Sequence, residues 1–261
     1  ASLIVAAYRA TQALGDRAVG FFFVRYKDDR GPHLRIRLRL TDSSFSFDAL
    51  RQIKREICPS GDGNGSMTVV PYLREVVRYG GDELLQVCER IFMLESEAIS
   101  RHVDDIDDIR GDYWASLCNM MDSLLRALGF TSLEARLSFA ARSSKAMAEE
   151  QGFTIEQKKR VGALYRMSAP GDGVPFGGIR QSSLQSAILS ADEAIAELIG
   201  AHVASIDSLS GDQRWNMLWS LVHMRRNRLL SRAHRRQEAA LWDLLRRSYE
   251  RSLHSTKKRS S

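Results

Sequence analysis

Cysteine is scarce: Cys58, Cys88 and Cys118 are the only three in 261 residues, an odd number with no CxxC pair. That pattern argues against a disulfide framework and against a thiolate metal site. Cys88 and Cys118 fall within helical apolar patterns, so they are expected as buried free thiols in a reducing, cytoplasmic setting. Long apolar runs are missing too. Nothing approaches the ~20 residues of a membrane span, and no membrane association is expected. His102 and His202 stand alone on helical stretches, without neighbouring Cys or His at ligand spacing, so no metal is expected. The chain has no GxSxG turn, no Rossmann glycines and no internal repeats. The Gly-rich run PSGDGNGS at 59–66 lacks the GK[ST] ending of a phosphate loop. It reads as a loop, as does APGDGVPFGG at 169–178.

What the chain does have is an alternating strand. Within Gly20–Leu40, GFFFVRYKDDRGPHLRIRLRL, two strands flank a polar turn. The second puts Leu34, Ile36, Leu38 and Leu40 on one face and His33, Arg35, Arg37 and Arg39 on the other. Neighbouring cations in that row sit roughly 6.6 Å apart, from about 3.3 Å of rise per residue. They repel one another unless something negative or a bound anion lies among them. A solvated outer sheet face is one reading. The other is an anion-binding floor, which suits the planar fork of arginine.

The rest is mainly helical. Apolar spacing predicts a helix over 2–14, another from Asp42–Ser44 to Pro59 with Phe47, Leu50, Ile53 and Ile57 inward, and a long one over 82–103. Met67–Tyr72 reads as a third strand, at an edge because of Pro71. Further helices are predicted at 113–128, after Thr131 and Thr154 (each with Glu or Gln three residues on, as in a capping box), and at 182–207, 212–230 and 232–253. The expected fold is therefore α+β, a small antiparallel sheet covered by seven or eight helices, as a single domain over 1–253 with a basic disordered tail at 254–261. The chain starts at Ala1 rather than Met, and some sequence is expected to precede it.

Three sets of polar residues remain. Besides the arginine row there is the pair Glu75 and Arg78, on one side if their segment turns helically and on opposite sides if it is extended. There is also His223, in the apolar helix SLVHMRRNRLL, with Arg226 beside it and Asn227 one turn on. Glu95 lies on the apolar stripe of its helix and must find a partner or border a cavity. The net charge of +6 is uneven: residues 224–261 hold twelve Lys/Arg against Glu238, Asp243 and Glu250. Such a stretch is either a solvated helix face or a surface for an acidic partner.

Taken in order, FFFVRY…GPHLRIRL, YLREVVRYGGDELLQVCERIF and SLVHMRRNRLL resemble the C-terminal elimination domain of lantibiotic dehydratases, over about residues 20–253. The family includes stand-alone proteins of thiopeptide biosynthesis. The resemblance implies a glutamate-eliminating enzyme of ribosomally made peptides, with catalytic residues Arg35, Arg37, Glu75, Arg78 and His223. His33, Arg39 and Glu95 are expected to contact substrate. No cofactor is implied. The partners would be a precursor peptide, through leader and core, and a separate glutamylating enzyme; nucleic acid is not expected. The chain departs from the family at Phe92-Met-Leu-Glu95-Ser96, where members commonly have Asp, and the family's opening strand would precede residue 1.

In the implied reaction an imidazole takes the α-proton of a glutamylated Ser or Thr, and arginines stabilise the developing negative charge and the departing carboxylate. Dehydroalanine or dehydrobutyrine is left behind. The same fold supports an alternative, a pyridine synthase that joins two dehydroalanines in an aza-[4+2] cycloaddition and frees the leader peptide. A third reading is a non-catalytic module that holds an acidic leader or tRNA through the basic C-terminal stretch.

Overall fold

The computed structural model describes residues 2–29, 31–57, 67–103, 113–168, 182–230 and 235–259. Cys58 and the two predicted loops at 59–66 and 169–178 lie outside them. In chain order the elements are α1 (Ser2–Leu14), β1 (Ala18–Asp28), β2 (Gly31–Leu40), α2 (Ser46–Ile57), α3 (Asp82–Arg101), α4 (Tyr113–Ala127), α5 (Leu133–Glu150), α6 (Ile155–Ser168), α7 (Ser183–Ala201), α8 (Val203–Asp207), α9 (Gly211–Leu229) and α10 (Arg235–Arg259). The fold is α+β as expected, with one two-stranded antiparallel sheet and ten α-helices among the described residues. The chain groups into two compact units, Ala1–Ile106 with Ala204–Ser231, and Asp107–Val203 with Arg232–Ser261.

The first unit is built around β1. Its Phe21, Phe22 and Phe23 are all buried, so the strand is covered on both faces. α1, α3 and α9 pack against it. Its outer edge is closed by side chains rather than by another strand. Phe23 N–H donates to Ser96 Oγ of α3 at 3.3 Å, and Arg25 N–H donates to Asn227 Oδ1 of α9 at 2.8 Å. Asn227 Nδ2 donates back to the Arg25 carbonyl at 2.9 Å, so its amide does the work of a neighbouring strand. Replacing Asn227 with Ala should therefore cost about 2 kcal/mol, the penalty for backbone groups left unmatched. Urea midpoints of the two proteins check this; an unchanged midpoint would mean that water replaces the amide without loss.

Two predicted features differ. Met67–Tyr72 is not a strand: Pro71 cannot donate to a ladder, and the segment leaves Val69 and Val70 exposed. Phe47 is 80% exposed rather than inward. A 3-10 turn at Ser43–Phe45, capped by Asp42, delays the start of α2 to Ser46, and Ala49 is its buried residue. The turn before α3 depends on Gly80, at φ 81°, where a Cβ would come within 2.8 Å of Leu209.

The second unit holds α4 to α7 and α10. Met120, Met121, Leu124 and Leu125 of α4 are buried, and Asp122 accepts from the Tyr249 hydroxyl at 2.7 Å and pairs with Arg136 at 2.9 Å. The capping box at Thr154 and Gln157 forms as predicted. At the preceding helix the cap is Ser132 rather than Thr131, and α9 begins with an unpredicted box at Ser210 and Gln213. α10 continues to Arg259, past the expected boundary at 253. Its arginines are largely consumed internally: Arg235 pairs with Glu150, Arg246 with Asp243 and Glu250, and Arg247 with Asp243. Among the described residues no helix is long and apolar enough to cross a membrane. Cys88 and Cys118 are buried free thiols, and burial pushes both pKa values up.

Candidate active site

The hairpin register decides what faces the arginine row. Arg39 lies opposite Gly20, Arg37 opposite Phe22, Arg35 opposite Val24 and His33 opposite Tyr26. Directly opposed residues share a face, so aromatic rings interleave with the cations. The Arg35 guanidinium carbon sits 3.4 Å from the Tyr26 ring centre, and that of Arg37 lies 4.5 Å from Tyr72 and 5.5 Å from Phe22. The negative ring faces offset part of the mutual repulsion along the row. His33 is tied to the turn, with Nδ1 3.2 Å from the Gly31 carbonyl and 3.8 Å from Asp28. Arg35 and Arg39 are exposed, Arg37 half-buried.

Arg37 differs from its neighbours. Its Nη1 is buried and donates no hydrogen bond among the described residues. Desolvation lowers its pKa most; the neighbouring Arg35 also lowers it, while Tyr72, Glu75 and Glu89 raise it. Tyr72 keeps part of its ring exposed, but its hydroxyl bonds to the buried Glu89. Burial first, and Glu89 second, push the phenol well above its ordinary pKa and hold it neutral. Glu89 also pairs with Arg74, which reaches Asp82 at the start of α3.

Glu75 and Arg78 fall on one side because residues 75–81 turn: Tyr79 N–H bonds to the Glu75 carbonyl, and Gly81 N–H to that of Val76. Arg78 Nη1 donates to Glu75 at 2.9 Å; both side chains are more than 40% exposed, so the pair contributes little stability. The more informative bond is Arg78 Nε to Ser220 Oγ at 3.0 Å, which ties this turn to α9. Ser220 lies one turn before His223. The half-buried imidazole stacks on Trp219, centroids 5.2 Å apart at 7°, and its Nδ1 lies 3.4 Å from Arg226 Nη2. Burial pushes the Tyr79 phenol, beside Arg78, up to about 12.

Direct bonds join Glu75, Arg78 and Ser220; Arg35 and Glu75 act on Arg37 only through their charge, and His223 lies one helical turn after Ser220. His33 lies at the turn end of the row and Arg39 at the other. Glu95 is placed differently. It is 0% exposed and bonded to Arg225 Nε at 2.8 Å and Arg228 Nη1 at 2.7 Å, both guanidiniums equally buried. It faces the interior. Tyr72, Glu89 and Ser220 were not foreseen; only Ser220 carried a signal, three residues before His223 on one helix face.

Residues 2–249 match the family model of the lantibiotic biosynthesis dehydratase C-terminal domain, and the chain belongs to that family. Among sequence relatives, nisin biosynthesis protein NisB of Lactococcus lactis subsp. lactis is 31% identical over 97 residues, which is 35% of this chain and 9% of NisB. The tRNA dependent lantibiotic dehydratase MibB from Microbispora sp. 107891 superposes with a TM-score of 0.71 at 20% identity, covering 96% of this chain and 26% of MibB. TsrL superposes with a TM-score of 0.56 at 13% identity, covering 97% of this chain and 93% of TsrL. The chain therefore spans a small part of NisB and about a quarter of MibB, and nearly the whole of TsrL.

Proposed function

We propose that this protein removes glutamate from glutamylated serine or threonine in a precursor peptide, leaving dehydroalanine or dehydrobutyrine. The observation that carries the reading is the half-buried Arg37 guanidinium, whose Nη1 has no partner among the described residues. A half-desolvated cation with a spare donor is a place where a carboxylate or an enolate oxygen gains more than it would in water. Arg35 beside it and Arg78 across Glu75 extend the positive surface to both ends of a substrate that carries an ester and an adjacent carbonyl. Glu75 orients Arg78, and Ser220 holds it against α9.

In the proposed step His223 takes the α-proton, whose bonding pair becomes the Cα=Cβ double bond. The Cβ–O bond breaks and glutamate leaves as its carboxylate. The imidazolium then gives up its proton to solvent. A separate glutamylating enzyme would supply the ester. The internal pairing of the α10 arginines weighs against a module that binds RNA through the basic stretch.

Two substrates test the reading: a glutamylated precursor and a fully dehydrated one, each followed by mass spectrometry. Glutamate loss from the first is expected, and Arg37→Gln should slow it by about 10²–10³, as removal of an oxyanion donor does elsewhere. A macrocycle with freed leader from the second, and no glutamate from the first, would replace elimination by cycloaddition.

A further inference from the structure

A carboxylate lies close enough to Arg37 for its charge to be felt, yet the two do not bond. Glu89 of α3 is 7% exposed and raises the Arg37 pKa only through its field. Its oxygens are engaged by other donors, Arg74 Nε at 3.3 Å and the Tyr72 hydroxyl. Arg74 reaches on to Asp82, which fixes the Glu89 carboxylate near the start of α3. Tyr72 touches both charges. Its hydroxyl donates to Glu89, and its ring centre lies 4.5 Å from the Arg37 guanidinium carbon. Phe22 meets the Tyr72 ring edge-on, with centroids 6.1 Å apart at 74°, and its own ring centre is 5.5 Å from the same guanidinium.

We infer that Tyr72 is a positioning residue for the candidate site: it occupies Glu89 with its hydroxyl and Arg37 with its ring, and so keeps the guanidinium from pairing with that carboxylate and available to an anion of the substrate. That the anion is a glutamyl carboxylate or an enolate rests on the elimination reading above. A half-buried arginine beside a buried carboxylate gains most by closing a forked, charge-assisted pair. Once closed, the pair is neutral and its donors are spent. A ring face attracts the cation less strongly and takes none of the directed bonds that a carboxylate would take. Arg37 therefore keeps its place and its charge while remaining open to exchange. The phenol suits this role because it is held neutral, so it adds no negative charge of its own to compete with substrate.

The test is a pair of double-mutant cycles with Arg37→Gln and Glu89→Gln, one in the unaltered chain and one carrying Tyr72→Ala, read from urea unfolding of the whole protein. With the tyrosine in place the two substitutions should be coupled by less than about threefold in the unfolding equilibrium constant; with Tyr72→Ala the coupling should rise to about tenfold, as for residues in direct contact. Tyr72 is partly exposed, so its truncation leaves a folded protein in which to measure this. Activity supplies the second arm. On N-acetyl-O-glutamyl-serine methylamide, Tyr72→Ala should lower kcat/KM for glutamate release about tenfold, the worth of one hydrogen bond to a charged group. Adding Glu89→Gln should return most of that loss, because a neutral amide does not hold the guanidinium. A packing defect would not be repaired in this way.

Equal coupling in the two backgrounds, or a loss of release that Glu89→Gln deepens, overturns the inference and leaves Tyr72 as part of the wall beside Arg37. The two readings fail separately. Glutamate release by the unaltered chain with equal coupling keeps elimination and removes the role of Tyr72. Coupling that appears only with Tyr72→Ala, without release from this probe or from the glutamylated precursor, keeps that role toward an anion of another kind and removes elimination.

Discussion

His223→Ala is expected to slow glutamate release by about 10²–10⁴, the usual worth of a positioned general base, with substrate affinity little changed. The reason lies in how the ring is held. The imidazole is stacked on Trp219 and touched by Arg226, while the turn beneath it, at Ser220, is bonded to Arg78. Of those partners Arg226 is buried, but the ring itself is only half-buried, so the substitution should shift stability by no more than about 1 kcal/mol, as for other partly exposed sites. Single-turnover release measured by mass spectrometry, alongside a melting curve, separates the two effects. Near-normal release from a folded variant would remove His223 from the proton transfer and leave the arginines to act with another base.

The second large effect is on folding rather than on chemistry. Glu95→Ala should destabilise the first unit by about 3–5 kcal/mol, because it leaves buried guanidiniums without their counter-charge. Arg225 and Arg228 are both 0% exposed and bond to the two carboxylate oxygens. Arg228 also stacks over Phe92, 4.4 Å from its ring centre, and burial already lowers its pKa. The loss would be a large fraction of the 5–15 kcal/mol that typically holds a domain together. Denaturant midpoints measure it. A loss under about 1 kcal/mol would mean that both arginines reach other acceptors or water when the carboxylate is gone.

The hairpin was legible because alternation over eight positions admits only one set of faces; its register came only with the fold. The long helices were legible from their 3.6-residue stripes, and Glu95 stood out as a carboxylate on such a stripe. Its partners did not, since Arg225 and Arg228 lie some 130 positions away and look from the sequence like part of a basic surface. The segment 67–72 has the composition of a strand, but no periodic signal shows that Tyr72 would turn its ring to Arg37 and its hydroxyl to Glu89. Arg78 and Ser220 are likewise joined only by the fold. Local pattern reports which side chains share a face; it does not report which face meets another across a long loop.

α9 has a consequence for the tolerance of this domain to change. Ser220, Arg225, Asn227 and Arg228 fasten that helix to a turn, to a carboxylate and to a strand edge, each through directional bonds at a fixed angular position. A greasy interface can absorb a rotation by sliding; this one cannot, because inserting a single residue between Arg225 and Asn227 would swing half of these fasteners by about 100° against the other half. Conservative exchanges should be absorbed along the helix, whereas one added or deleted codon there should cost fold and chemistry together.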